Sequence, residues 1–265
     1  MNRAIISRLV HQQRIQFPLE LLFTAGWGFL LVALFATSDK FGSMLQQEAE
    51  MLGPAWALLG LDPLAQWVTV GLLDPPFFLG GAAFSVGLGL RAIAGELQDG
   101  SLALSITRPV SRRSWFLSHV VVMVPGSFAI GLFYAVGCTI ATWTSSPIGH
   151  LDTWHLVLAS LEAGLLFITF GSFAMMFSSF VSEKGRAMAW TLGTLVVMYM
   201  LSFLLPLWGT GERLAKLTPF GWYVPGPILQ SGSIPWGDVL ALVLFAVVPL
   251  AIAAWQFMRR DLAGG

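Results

Sequence analysis

One acidic residue lies inside a long apolar stretch, where an ionisable side chain is expensive. Glu162 falls within residues 154–181, and at 1.5 Å per helical residue it would lie about 12 Å below one membrane surface. An ionisable residue at this depth usually faces a cavity or a partner. Glu162 therefore lines a transport pathway, serves an intramembrane enzyme together with His155 at i−7, or packs two helices as a neutral, hydrogen-bonded acid. The residue types alone leave these three alternatives open.

The sequence lacks the common motifs that would place catalysis in this chain. It has no Gly-x-x-x-x-Gly-Lys-Ser/Thr phosphate loop and no His-Glu-x-x-His metal motif. Ser85 stands in Ala-Phe-Ser-Val-Gly, which falls short of the Gly-x-Ser-x-Gly nucleophile elbow. The four histidines do not have the spacing of a metal-ligand set. We therefore predict no catalytic residue, no metal site and no cofactor in the chain itself.

Charges of both signs are concentrated in residues 91–119, between two apolar runs. The middle of this segment suits a short helix, because Leu102 and Ile106 share one face at i, i+4 and Pro109 ends the pattern. Asp99 or Ser101 can cap its start, and Ser111 can cap the helix that follows. A short two-sided connector of this kind suits docking of a soluble partner, although an ordinary solvated loop would look similar. The residues assigned to docking are Glu96, Asp99, Ser101, Leu102, Ile106 and Arg108.

The composition places the chain in a membrane. It has 265 residues, of which 56% are hydrophobic and 11% are charged, whereas soluble domains carry roughly 25% charged residues. The formal net charge is zero, which argues against a nucleic-acid partner. Cys138 is the single cysteine, so an intrachain disulfide is impossible. We predict one all-α transmembrane domain over residues 1–265, in contact with the lipid bilayer.

Six apolar stretches are long enough to cross a bilayer, which requires roughly 20 helical residues. The predicted spans are residues 19–36, 75–93, 115–143, 154–181, 187–208 and 239–258. Residues 2–17 form an amphipathic, basic helix suited to the membrane interface. Residues 37–74 are predicted to form a loop with one or two helices lying on the bilayer, and the proline-rich residues 209–238 to form short re-entrant or interfacial helices.

Small residues recur every four positions in the second predicted span. Gly81, Ser85 and Gly89 would form one face on which helix backbones approach closely. This face is predicted to pack against another helix, either within the subunit or across a dimer.

The distribution of basic residues orients the six spans. Of the fourteen Lys and Arg residues, only Lys40, Arg213 and Lys216 fall on the side opposite to the two termini. Cytoplasmic loops carry the excess of Lys and Arg, so the termini and the 91–119 connector are predicted to be cytoplasmic. In this arrangement Arg112 and Arg113 are expected at the lipid headgroups.

The connector carries a resemblance to a known family. The run Gly-Glu-Leu-Gln-Asp-Gly-Ser-Leu-Ala-Leu-Ser-Ile-Thr-Arg-Pro-Val-Ser-Arg-Arg, residues 95–113, resembles the signature of type-2 (ABC-2) ABC transporter permeases. Thr-Pro-Phe-Gly-Trp-Tyr at residues 218–223 and Phe-Met-Arg-Arg-Asp-Leu at residues 257–262 are also similar to this family. The resemblance extends over the whole six-span plan.

The resemblance implies a division of labour. It implies that two copies of the permease, as a homodimer in the cell (cytoplasmic or inner) membrane, form the pathway of an exporter. It further implies that ATP and Mg²⁺ bind separate cytoplasmic ABC ATPase subunits, which dock on the connector, called the coupling helix. Lipids, glycans, drugs and peptides are the substrates of such exporters. A secondary transporter or a membrane scaffold are the remaining alternatives, although the repeated halves of many secondary transporters are not evident here.

Overall fold

A computed structural model describes residues 3–37, 62–99, 111–145, 151–207 and 211–260. Within these residues the chain is helical and contains no β-strand. Six of the described helices are long and apolar enough to cross a membrane: α2 Gln16–Thr37, α4 Pro75–Gln98, α5 Arg112–Ser145, α6 Thr153–Phe180, α7 Lys184–Leu204 and α10 Trp236–Arg259. The predicted all-α membrane fold with six spans is confirmed.

Four shorter helices complete the described fold. They are α1 Arg3–Gln12, α3 Pro63–Leu73, α8 Gly211–Ala215 and α9 Pro225–Ser231. A single turn of 3-10 helix, Pro219–Trp222, precedes α9, and another, Leu205–Leu207, follows α7. The proline-rich segment between the last two spans is therefore a series of short helical pieces.

Helix α6 is the centre of the bundle. It packs against α4, α5, α7, α9 and α10. In an 18-residue apolar stretch of α6, 78% of the residues are buried, whereas the corresponding value for α7 is 17%. The outer helices α2, α7 and α10 leave many large apolar side chains exposed. Such faces suit lipid or another membrane subunit.

Glycines allow the central helices to approach closely. A Cβ added at Gly89 would lie 2.6 Å from the carbonyl oxygen of Gly171, so α4 and α6 touch through their backbones. A Cβ at Gly28 would lie equally close to the carbonyl oxygen of Tyr134, where α2 meets α5. Close approach of this kind provides van der Waals contact that lipid cannot replace.

Helix α3 packs into the bundle. Asp62 caps its start by accepting a hydrogen bond from the Leu64 amide at 3.0 Å, and Pro63 occupies the first turn, where its missing N–H costs nothing. The Trp67 indole donates to the carbonyl of Leu31 in α2 at 2.8 Å. The sequence predicted helices lying on the bilayer here, but α3 packs against α2, α4 and α9, and its Val68 carbonyl accepts a hydrogen bond from Tyr134 of α5 at 3.0 Å. The rest of the predicted loop, residues 38–61, lies outside the described residues.

The bundle has two ends, which we name by their residues. The terminal face carries Arg8, Glu96, Arg112 and Arg260, which contact one another or neighbouring helix ends. The far face carries Asp74, His155 and Tyr223, near the start of α4, the start of α6 and the turn before α9.

Candidate functional site

An ion pair joins the N-terminal helix to the end of α4 on the terminal face. Arg8 donates two hydrogen bonds from Nη2 to the Glu96 carboxylate, at 2.8 and 3.0 Å. The Glu96 side chain is 9% exposed and the Arg8 side chain 39% exposed. The Arg8 guanidinium also lies 5.9 Å from the ring centroid of Trp115, a cation–π arrangement. Helix α1 is therefore fixed at the point where the chain leaves α4 for the connector.

A π-helical segment, Arg91–Gly95, precedes this ion pair. The wider turn of a π-helix frees backbone groups, and side chains of neighbouring helices bond them here. Ser178 of α6 accepts from the Ala94 amide at 2.7 Å and donates to the Leu90 carbonyl at 3.2 Å. The Trp115 indole of α5 donates to the Ala92 carbonyl at 2.9 Å. The end of α4 is thus bonded directly to both α5 and α6.

Two arginines cap the ends of other helices on the same face. Arg112, at the start of α5, donates to the carbonyls of Arg260 at 2.7 Å and Met258 at 3.2 Å. Arg260 in turn donates to the carbonyls of Ser179 at 3.0 Å and Val181 at 3.2 Å, at the end of α6. The last carbonyls of a helix lack partners within the helix and carry partial negative charge, so arginine stabilises them. Arg112 is half-buried because it caps α10, whereas Arg113 is exposed; the expected position of both at the lipid headgroups stays a prediction.

The connector itself falls mostly outside the described residues. Ser101, Leu102, Ile106 and Arg108 lie in the part that is not described, so their predicted roles remain predictions. Its two flanks are described. Asp99 is exposed at the end of α4, and Gln98 accepts a hydrogen bond from the Lys184 amide at 3.1 Å. Beyond the connector, Ser111 accepts from the Ser114 amide at 3.2 Å, which confirms its predicted role as a helix cap.

Glu162 is buried between α6 and the segment before α9. Its side chain is 4% exposed, and neither carboxyl oxygen has a hydrogen-bond partner among the described residues. The Val224 amide and Tyr223 are its electrostatic neighbours. The Val224 amide is close enough to influence the carboxyl group but does not meet strict hydrogen-bond geometry, so the neutral, packed acid and the pathway residue both remain open. His155 is engaged elsewhere, since its Nδ1 lies 3.2 Å from the Leu229 carbonyl oxygen.

The small-residue face of α4 is used within the subunit. Gly81 packs against the ring of Phe167 in α6, and Gly89 packs against the backbone of the same helix. Ser85 and Ser127 of α5 share a 2.6 Å hydrogen bond in the buried interior. These contacts leave little of the face available for a second subunit.

Three residues with clear structural roles escaped prediction, namely Arg8, Ser178 and Arg260. Their side chains bond partners that are 78 to 88 positions away in sequence. A basic residue next to a helix end is the only local signal, and it does not identify which helix is capped. Among the described residues, no group of three or more His, Cys, Asp or Glu side chains could hold a metal ion.

A family model matches most of the chain. This family model, described as "ABC-2 family transporter protein", covers residues 21–262, which includes all six spans except the first five residues of α2. No curated protein matches the chain. The matched range contains Glu96, Asp99 and the connector, and it ends just beyond Arg260.

Proposed function

The chain belongs to the ABC-2 family of transporter proteins, and from this premise we propose that it is the membrane permease subunit of an ATP-driven exporter. Two copies form the substrate pathway, and separate ATPase subunits dock on the terminal face. The protein is a multi-pass membrane protein and a transport subunit rather than an enzyme. In this proposal ATP and Mg²⁺ bind the ATPase subunits, as the family resemblance implies; the chain itself has no phosphate-loop sequence.

One observation supports the coupling role most directly: both flanks of the connector are fastened to the bundle. Glu96 is held by Arg8, and Gln98 is held by the first turn of α7. On the other flank, Arg112 is held by the end of α10. A segment that transmits force from a docked ATPase must be attached firmly to the helices that it moves. In this proposal Glu96 positions the connector, while Asp99, Ser101, Leu102, Ile106 and Arg108 face the ATPase.

The orientation follows from charge. In the six-span arrangement, eleven of the fourteen Lys and Arg residues fall on the side of the two termini, so the proposal places the terminal face in the cytoplasm, where ATP is available. The cell membrane is then the site of transport, with the far face directed outward. Single cysteines in a Cys138→Ser background test this assignment with an impermeant thiol reagent. Labelling from outside is expected at Arg213→Cys and not at Lys184→Cys.

The intramembrane enzyme has little support in the geometry. Glu162 faces the segment Tyr223–Val224, whereas His155 contacts the carbonyl of Leu229, so the two side chains are engaged with different neighbours. A scaffold or a secondary transporter would not need an ATPase, and the experiment below separates both from the proposal.

The experiment removes the apolar stripe of the connector. Burial of a large aliphatic side chain contributes about 1.5–3 kcal/mol, so Leu102→Asp with Ile106→Asp should abolish copurification of a phosphate-loop ATPase with the tagged permease. The matched control is Leu214→Asp with Leu217→Asp, two exposed leucines of the segment between α7 and α10. Both variants should reach the membrane at normal levels. Retention of the ATPase by the connector variant would contradict the proposal.

A further inference from the structure

A cavity opens on the far face between α3, α4 and α7. Its volume is about 390 Å³, which suits part of a small organic molecule. One carboxylate, Asp74, lines it together with five aromatic side chains. These are Phe78, Tyr199, Phe203, Phe220 and Tyr223.

Asp74 has no evident structural task among the described residues. It stands between α3 and α4 at a position where an aspartate often caps a helix, but its side chain makes no capping hydrogen bond. Partial burial raises the pKa of Asp74 above its ordinary value. Its charge is close enough to the Tyr199 hydroxyl to influence it. A partly desolvated carboxylate that lines a cleft is a candidate for a binding group.

The aromatic rings around Asp74 are arranged edge to face. Phe78 lies 5.8 Å from Tyr199 and 5.5 Å from Phe220, and Tyr199 lies 5.3 Å from Phe220, measured between ring centroids. The face of an aromatic ring attracts cations through its quadrupole. Several rings beside one carboxylate thus favour a positively charged group and disfavour an anion.

A second cavity adjoins the first. Its volume is about 270 Å³, and it shares Phe78, Tyr199 and Phe220 with the cavity at Asp74. It runs between α4 and α7 as far as Val86 and Leu192, and its lining is almost entirely apolar. The two cavities together offer a charged, aromatic end and an apolar extension.

We propose that these two cavities bind an amphipathic cation, with its charged head at Asp74 among the rings and its apolar part between α4 and α7. As a cargo site, this inference rests on the proposed transport function. As a binding site, it can be measured on the full-length permease alone. Failure of ATPase copurification would therefore leave the binding result standing, and the reverse is also true.

The test uses radiolabelled tetraphenylphosphonium and the full-length protein in phosphatidylcholine nanodiscs. Binding should be saturable, and tetraphenylborate, which has the same shape and the opposite charge, should not compete. Asp74→Asn should weaken binding about tenfold or more, because the partly buried carboxylate attracts a cation more strongly than an exposed one would. Asp62→Asn is the matched control at the other end of α3, since Asn preserves the helix cap. Its binding should equal that of the wild type.

Two further variants test separately how the charged group and the apolar part of the ligand bind. Tyr199→Leu keeps every charge and removes a ring, so it should weaken tetraphenylphosphonium binding by a few-fold. Leu192→Trp fills the apolar extension and should weaken binding of decyltriphenylphosphonium but not of tetraphenylphosphonium. Gel filtration must show that each variant remains folded. The proposal is overturned if Asp74→Asn binds like the wild type, if tetraphenylborate competes equally, or if the wild type shows no saturable binding.

Discussion

Loss of the Arg8–Glu96 ion pair should destabilise the terminal face by an amount that depends on which partner is removed. Breaking a fully buried pair costs about 3–5 kcal/mol, and exposed pairs contribute about 0–1 kcal/mol. This pair is intermediate, since Glu96 is 9% exposed and Arg8 is 39% exposed. Arg8→Ala removes the guanidinium nitrogen that donates to both oxygens of the buried Glu96 carboxylate, so we expect the free energy of unfolding to fall by about 2–3 kcal/mol. Glu96→Gln allows the half-exposed Arg8 to turn to water, so this change should lower the free energy of unfolding by about 1–2 kcal/mol.

The assay is a denaturing-detergent titration in mixed micelles, which gives the free energy of unfolding. Arg3→Ala is the matched control, because Arg3 is an exposed arginine on the same helix, and it should change this free energy by less than about 0.5 kcal/mol. The double variant Arg8→Ala with Glu96→Gln should cost less than the sum of the single changes, because the two residues interact. If Arg8→Ala and Arg3→Ala had the same effect, or if the two changes at the pair were additive, the ion pair would not stabilise this face.

Three other predictions concern helix ends, the buried acid and the central packing. Arg112→Ala should lower the free energy of unfolding by about 1–2 kcal/mol through loss of the cap on α10, whereas Arg113→Ala, a change at an exposed neighbour, should be nearly silent in the same titration. Glu162→Gln should leave the thermal unfolding midpoint unchanged or raised, because neither carboxyl oxygen meets hydrogen-bond geometry with a described residue. If transport falls while the midpoint is unchanged, Glu162 belongs to the pathway. A lowered midpoint would contradict this prediction and show that the carboxylate is bonded in the folded protein. Gly89→Leu should overpack against α6 and lower the free energy of unfolding by about 1–3 kcal/mol. Gly193→Leu is the control, because a side chain at Gly193 meets open space, and it should lower this free energy little. If the two variants had equal effects on the yield in detergent and on unfolding, the close approach of α4 and α6 would be refuted.

Local pattern was sufficient for the helical fold. Apolar stretches of sufficient length predict spans because lipid cannot satisfy backbone polar groups, and Ser111 is a helix cap because its type and position suffice. The contacts that organise the terminal face could not be predicted from the sequence. Arg112 bonds a carbonyl 148 positions later in sequence, and Arg8 bonds Glu96 at a separation of 88. Such pairs depend on how the helices are arranged in space, and no periodic pattern in the sequence indicates that arrangement.

The candidate sites, too, could be predicted only in part from the sequence. Gly81, Ser85 and Gly89 could be assigned to packing from their spacing, but only the structure identifies α5 and α6 as their neighbours within the subunit. The cavity at Asp74 could not be predicted, because its rings come from α4, α7 and the segment before α9. Aromatic residues in apolar helices are too common for their types alone to reveal a shared site.

The most direct test of the central proposal is a crosslink at the connector. A single cysteine, Ile106→Cys in the Cys138→Ser background, would carry a short photoactivatable crosslinker in inside-out native membranes. We predict one crosslinked product that joins the permease to a phosphate-loop ATPase, identified by mass spectrometry, and its absence from a Leu214→Cys control. Modification of position 106 by an impermeant reagent in intact cells, or a crosslink to no ATPase at all, would contradict the assignment of this chain as an ATPase-coupled permease.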